Sequence, residues 1–201
     1  MLDMTKDFAR YDPVWRKAEP YMRARKNDVH IPLSFGWAAR LLEDYTEADR
    51  DVCLLAILLH DIGWYSIDME DIIEKGFSGP NMLQSDVRYL HEAEGVRMGT
   101  EVLEATGWDA DVIGQVCEII DGHDTRPDPR HLNDRIVRDA DKLWRFDVTG
   151  IAVACDWFKL TPRAYAGRLE DQKNNLETDA GRAYATQTLA ASRKALMLHV
   201  I

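Results

Sequence analysis

The chain has 201 residues, 46% of them apolar, with 35 acidic against 25 basic side chains and a formal charge of −10. That is the size and apolar content of one folded domain rather than a disordered chain, and the longest strong apolar run, Val52 to Leu59, falls well short of the roughly 18 residues of a membrane span. The acidic balance, with no Lys/Arg block, argues against a nucleic acid polymer as partner.

The first residues, MLDMTKDFARYDP, lack the basic and apolar regions of a secretory signal. Cys53, Cys117 and Cys155 lie far apart in apolar segments and form no CxxC pair, so they read as reduced core residues of a cytoplasmic protein. The apolar pattern is helical nearly throughout, which predicts an all-α, single-domain bundle over 1–201. An amphipathic region spans Asp12 to Arg25. Asn27 or Asp28 then caps a helix carrying Leu33, Trp37, Leu41 and Tyr45, with Pro32 tolerated in its first turn. The segment VCLLAILLHDIG is apolar on nearly every side until His60 and predicts the central, buried helix, with Gly63 placed to stop it.

From Ser66 to about Ser85 the chain carries Gly76, Gly79 and Pro80 and reads as a lid or covering excursion. Asp86 caps a helix through His91, Gly95, Met98 and Val102 to Gly107. Another begins near Asp109 with Val112, Ile113, Val116 and Ile120 at helical spacing, and His123 falls just past its last turn. The turn-rich DTRPDPRHLND leads into a helix bearing Ile136, Val137, Ala140, Asp141 and Trp144. An apolar helix, IAVACDWFKL, and a more polar one around Asp179 to Met197 complete the chain. The tryptophans and methionines read as core filler.

Of the six histidines, His30, His60, His91 and His123 recur at intervals of 30, 31 and 32 residues, each at or near the end of a predicted helix. Facing helices of a bundle can bring such positions to one site. Asp61 beside His60, and Asp141 at helical spacing from Val137 and Trp144, put carboxylates on apolar faces, a cost of several kcal/mol that pairing or a bound cation offsets. Asp139, two residues away, competes with Asp141 and is left as a supporting acid. His131 and His199 read as structural or solvent-facing.

These residues resemble the HD-domain superfamily of metal-dependent phosphohydrolases. Its pattern of a His, an adjacent His-Asp and a distant Asp is met by His30, by His60-Asp61 inside LLHDIG and by Asp141 inside DADKL, over roughly residues 28 to 145. His91 in LHEAEG and His123 in EIIDGHD look like the extra histidines of the two-metal branch. NNLETDAGRAYATQTLAASRKALM is similar to the terminal helix of small members of the superfamily, so helices of 150–201 are expected to pack on the metal-site core.

The resemblance implies one or two divalent ions, with Asp61 bridging, His30, His60 and Asp141 completing one site, and His91 and His123 the other. Imidazole and carboxylate suit Fe, Mn, Co, Ni, Zn or Mg. Such ions activate water for attack on a small phosphate ester, nucleotides among the candidates. Besides Asp61, Lys142, Glu94 and Arg88 are the candidate catalytic residues: Lys142 follows Asp141, while Glu94 and Arg88 each lie one turn from His91, and Glu92 directly follows it. The same ligand set resembles that of myo-inositol oxygenase and related di-iron enzymes, and a non-catalytic metal-binding regulatory module is a third reading. The expected partner is a small phosphorylated substrate, without nucleic acid or membrane; the oligomeric state is open, a homo-oligomer included.

Overall fold

A computed structural model describes residues 5–68 and 86–198. Among these the fold is all α-helical, with no strand. The helices are α1 (Thr5–Ala18), α2 (Asn27–Asp44), α3 (Arg50–Leu59), α4 (Asp86–Ala105), α5 (Ala110–Ile120), α6 (Leu132–Leu143), α7 (Val148–Phe158), α8 (Pro162–Gln172) and α9 (Asp179–Ala195). The predicted excursion lies almost wholly outside the described residues, as does His199. No helix of the described residues is long and apolar enough to cross a membrane.

The centre is α3. Asp49 caps it by accepting from the Val52 amide at 3.1 Å, and every residue from Val52 to Leu59 is buried. Each large aliphatic side chain so placed contributes about 1.5 to 3 kcal/mol of burial. The helix has no polar stripe because α1, α2, α5 and α6 pack around it. Cys53 shares this core, and burial pushes its thiol up to about 12, whereas Cys117 and Cys155 are only half-buried. All three are free thiols, but only one is a core residue.

Several expectations about element ends are corrected. The first helix starts and stops earlier than Asp12 to Arg25, since Pro20 opens a 3-10 turn directly after it. Neither Asn27 nor Asp28 caps α2. Lys26 holds the capping position, Arg25 and Lys26 both adopt left-handed backbone (φ 50° and 60°), and the buried Asn27 side chain makes other contacts. The inward face of α2 is Ile31, Phe35, Ala38 and Leu42, with Leu41 beside it, while Leu33, Trp37 and Tyr45 sit half-buried at its edges. The helix α8, begun by Pro162 behind a Thr161 cap, is missing from the sequence-based expectation.

Gly63 does not end α3 by a left-handed turn. The α-helix stops at Leu59, and Gly63 lies inside a 3-10 turn (Ile62–Ser66) against which α4 packs backbone to backbone. A Cβ on Gly63 would stand 2.0 Å from the His91 carbonyl oxygen and 2.4 Å from the Gly95 nitrogen. The missing side chain sets the distance between His60-Asp61 and His91.

The C-terminal helices are tied to α6 by Asp139. Its carboxylate accepts from the Glu177 amide (2.7 Å) and from the Thr178 amide and hydroxyl (2.9 and 2.7 Å). Asp139 thus serves as a tether for the segment leading into α9, and Thr178 in turn caps that helix.

Candidate metal centre

The histidines are delivered by helix ends and one helix interior. His30 sits in the second turn of α2, His60 just past α3, His91 within α4 and His123 just past α5, while Asp141 lies in the last turn of α6. All five are buried, as is Asp61. Positions as far as 111 residues apart in sequence meet directly: His30 Nε2 lies 2.8 Å from Asp141 Oδ1.

Asp61 stands between two groups. Its Oδ2 faces His30 Nδ1 at 3.4 Å and His60 Nε2 at 3.8 Å, and His60 Nε2 is 3.3 Å from Asp141 Oδ1. Its Oδ1 faces His91 Nε2 at 3.6 Å and His123 Nε2 at 3.5 Å, and those two nitrogens are 3.4 Å apart. One carboxylate therefore presents an oxygen to each of two sets of nitrogen donors. His30, His60 and Asp61 form one group able to hold a cation, and Asp61, His91 and His123 another.

Local structure orients the rings. His60 Nδ1 donates to the Ile57 carbonyl and His123 Nδ1 to the Ile120 carbonyl, each at 2.9 Å and each three residues back on the preceding helix. This directs both Nε2 lone pairs at the cluster, the arrangement by which metal-ligating histidines are held. His60 Nε2 is buried with no hydrogen-bond partner among the described residues, a fit to a cation that a purely structural histidine would lack. Asn27 donates to the Asp61 carbonyl (3.1 Å) and its Oδ1 approaches His30 Nδ1 at 3.4 Å. Trp144 stacks on His30 (4.7 Å between centroids) and Trp64 on His91 (4.1 Å). Trp64 also donates its indole N–H to Asp61 Oδ1 at 2.9 Å, so two tryptophans support the cluster rather than merely fill the core.

The electrostatics describe a site that concentrates negative charge. Burial would raise the carboxyl groups of Asp61 and Asp141, but the surrounding cations and imidazoles outweigh it: His60, His123, His30 and Arg25 for Asp61, and Arg145, His30 and His60 for Asp141. Both are held well below the usual range. Against the pull of burial, Asp141 and Asp61 raise His30, and Asp61, Asp124 and Glu92 raise His123 to about 10. Burial and the neighbouring His123 push His91 down to about 3. The buried carboxylates thus favour positive charge among the imidazoles, and a divalent cation supplies more of it in the same place.

A cavity of about 400 Å3 opens on this cluster. Its lining includes His123, Asp124, Asp141, Arg88, Lys142 and Arg145. Arg145 approaches Asp141 Oδ2 at 3.6 Å, and Lys142 approaches Glu177 at 3.5 Å. Arg88 donates to the Asp124 carbonyl at 2.9 Å. Glu94, by contrast, is not brought to the cluster. It pairs with Arg97 at 2.8 Å on the outer side of α4, because three residues on from His91 the helix has turned past the buried face.

Glu92 takes the supporting role instead. Buried beside His91, it accepts from the amides of Asp124 (2.8 Å) and Thr125 (2.9 Å) and from the Thr125 hydroxyl (2.6 Å), pinning the turn that carries His123. His131 caps α6 through Nδ1. Arg25, Arg145 and Asp124 are absent from the sequence-based set. Arg25 Nη1 lies 3.8 Å from Asp61 Oδ2 with its guanidinium over the Trp64 ring at 4.4 Å. The residue's left-handed backbone has no sequence signal, whereas Asp124 sits directly beside a candidate ligand and was open to notice.

The HD-domain family model matches residues 32–145, more than half of the chain, and His30 lies just ahead of the matched span. No curated protein matches the chain. Among solved structures, the chain is similar to the crystal structure of a predicted HD superfamily hydrolase from an uncultured Thermotogales bacterium, with a TM-score of 0.65 over 99% of this chain and 98% of that one. The two are 16% identical, a likeness of fold.

Proposed function

We propose, from the premise that the chain belongs to the HD-domain family, that it is a metal-dependent hydrolase of small phosphate esters. His30, His60, Asp61 and Asp141 would hold one divalent cation, and Asp61, His91 and His123 a second. Bound there, such cations supply Lewis-acid activation of water near neutral pH and neutralise charge on phosphoryl oxygens.

The single observation that carries the phosphoester reading is the cationic rim of the cavity. Arg88, Lys142 and Arg145 line the same small space as His123 and Asp141. Guanidinium and ammonium donors suit phosphoryl oxygens, the former through paired N–H bonds. Lys142 and Arg88 bind and orient the ester, and Arg145, close to Asp141, holds its phosphoryl end toward the ligands. No covalent nucleophile is required.

The test joins elemental analysis of protein purified without added metal to a screen of phosphomonoesters, phosphodiesters and nucleotides. Bound transition metal, with phosphate release or diester cleavage that stops on chelation, is the expected result. Two irons with substrate-dependent oxygen consumption and no hydrolysis would overturn it in favour of an oxygenase, and a metal-loaded protein inert in both assays would favour a regulatory module.

A further inference from the structure

The two candidate cation centres are unequal in ligands drawn from the six residues of the sequence pattern. The first has two imidazoles, Asp61 and Asp141; the second has two imidazoles and Asp61 alone. A further carboxylate faces the second. Asp124 Oδ2 lies 3.9 Å from His91 Nε2, and its Oδ1 lies 3.3 Å from Arg88. Asp141 is arranged alike, with Oδ1 on His30 and His60 and Oδ2 3.6 Å from Arg145. Each outer carboxylate divides its oxygens between imidazole and guanidinium.

Ligand atoms about 2.1 Å from one ion stand at most about 4.2 Å apart. The separations among Asp61 Oδ1, His91 Nε2 and His123 Nε2, at 3.4 to 3.6 Å, fall within that span, and Asp124 meets it toward His91, at 3.9 Å, from the edge of the compact group that the other three form. The main chain of Asp124 is fixed independently of its side chain, since Glu92 accepts from its amide and Arg88 donates to its carbonyl. The side chain is not needed to hold the turn. It projects into the cavity, where Glu177, another lining carboxylate, is engaged by Lys142.

We propose that Asp124 is a ligand of the second cation centre, completing the set Asp61, His91 and His123. The proposal rests on the two-cation reading above. Its test is a Mn2+ titration of metal-stripped wild type, D124A, D124N and R88A by equilibrium dialysis, with circular dichroism to establish folding. Wild type binds two ions. D124A and D124N keep the first at wild-type affinity and lose at least about tenfold in affinity for the second; D124N, which keeps the side-chain volume, supplies the answer if D124A does not fold. R88A, which removes the ion-pair partner and the bond to the Asp124 carbonyl while Glu92 still holds the turn, keeps both ions within a fewfold of wild type. Two ions at wild-type affinity in both Asp124 variants overturns the proposal, as does an R88A defect equal to that of D124A. Wild type binding fewer than two ions overturns the two-cation reading itself and is read before any variant.

Discussion

The two sides of Asp61 are built by different means. The Oδ2 side draws on α2, α3 and α6, three helices packed along much of their length around the core, so His30, His60 and Asp141 are positioned by helix packing. The Oδ1 side draws on α4 and the turn after α5. That side is packed as well, α5 on α3 and α4 on α5 and on the 3-10 turn, but a backbone approach at Gly63 and a buried acid, Glu92, add two local clamps that hold His91 and His123 in place. Packing spreads a constraint over many side chains, whereas a clamp concentrates it in a few. The first centre should tolerate single changes around it, and the second should fail at identifiable points.

Removing the shared element abolishes the difference. Asp61→Ala is expected to strip both ions and lower hydrolysis at least about a hundredfold, beyond the 10- to 100-fold typical of changes to residues that only support a ligand; elemental analysis and initial rates check it. Gly63→Ala strikes where the clamp touches the core. Its Cβ would overlap the His91 carbonyl, so a loss of about 3 kcal/mol and a Tm lower by about 6 to 12 °C are expected. Unchanged thermal melting would show that α4 can retreat freely.

Glu92→Gln separates the two sides. It weakens binding of the second ion about 10- to 100-fold and leaves the first untouched, read by the same dialysis titration. Equal weakening of both would dissolve the contrast between packing and clamp.

The smallest effect lies far from the cluster, at Asp51. Burial would raise its carboxyl group, but hydrogen bonds from Arg10 (2.8 Å) and Tyr11 (2.6 Å) outweigh that and hold it below the usual range. Its contribution is present above the unfolded carboxyl's pKa and lost as pH falls through the lower folded value. Asp51→Asn should therefore cost less than about 1 kcal/mol near pH 7, since the pair is partly exposed, and nothing once wild-type Asp51 is protonated. Melting curves of both proteins that stay parallel as the pH falls from 7 until wild-type Asp51 is protonated would refute it.

The helical class was legible because apolar spacing of 3.6 residues recurs along the chain, and the central helix because Val52–Leu59 leaves no side for water. The histidines and acids that converge could be named from residue type and order. The features that hold them could not. Arg25 depends on left-handed backbone in residues that rarely adopt it, and Glu92 looks from sequence like one more helix-surface acid beside Glu94. Gly63 invites the meaning of a helix stop because a lone sequence shows no approaching neighbour, and only α4 against it reveals a spacing role. Short-range spacing misplaced Glu94 for a related reason: a helix turn sets direction, but the neighbour opposite decides whether that direction is inward.

The indole rings laid against His30 and His91 have a practical corollary. Each centre carries its own intrinsic fluorophore, Trp144 on one side and Trp64 on the other, within direct contact of an imidazole whose charge and polarisation change on ligation. Loading of the two positions is therefore expected to change emission differently in Trp64→Phe and in Trp144→Phe, above the shared background of Trp15, Trp37, Trp108 and Trp157.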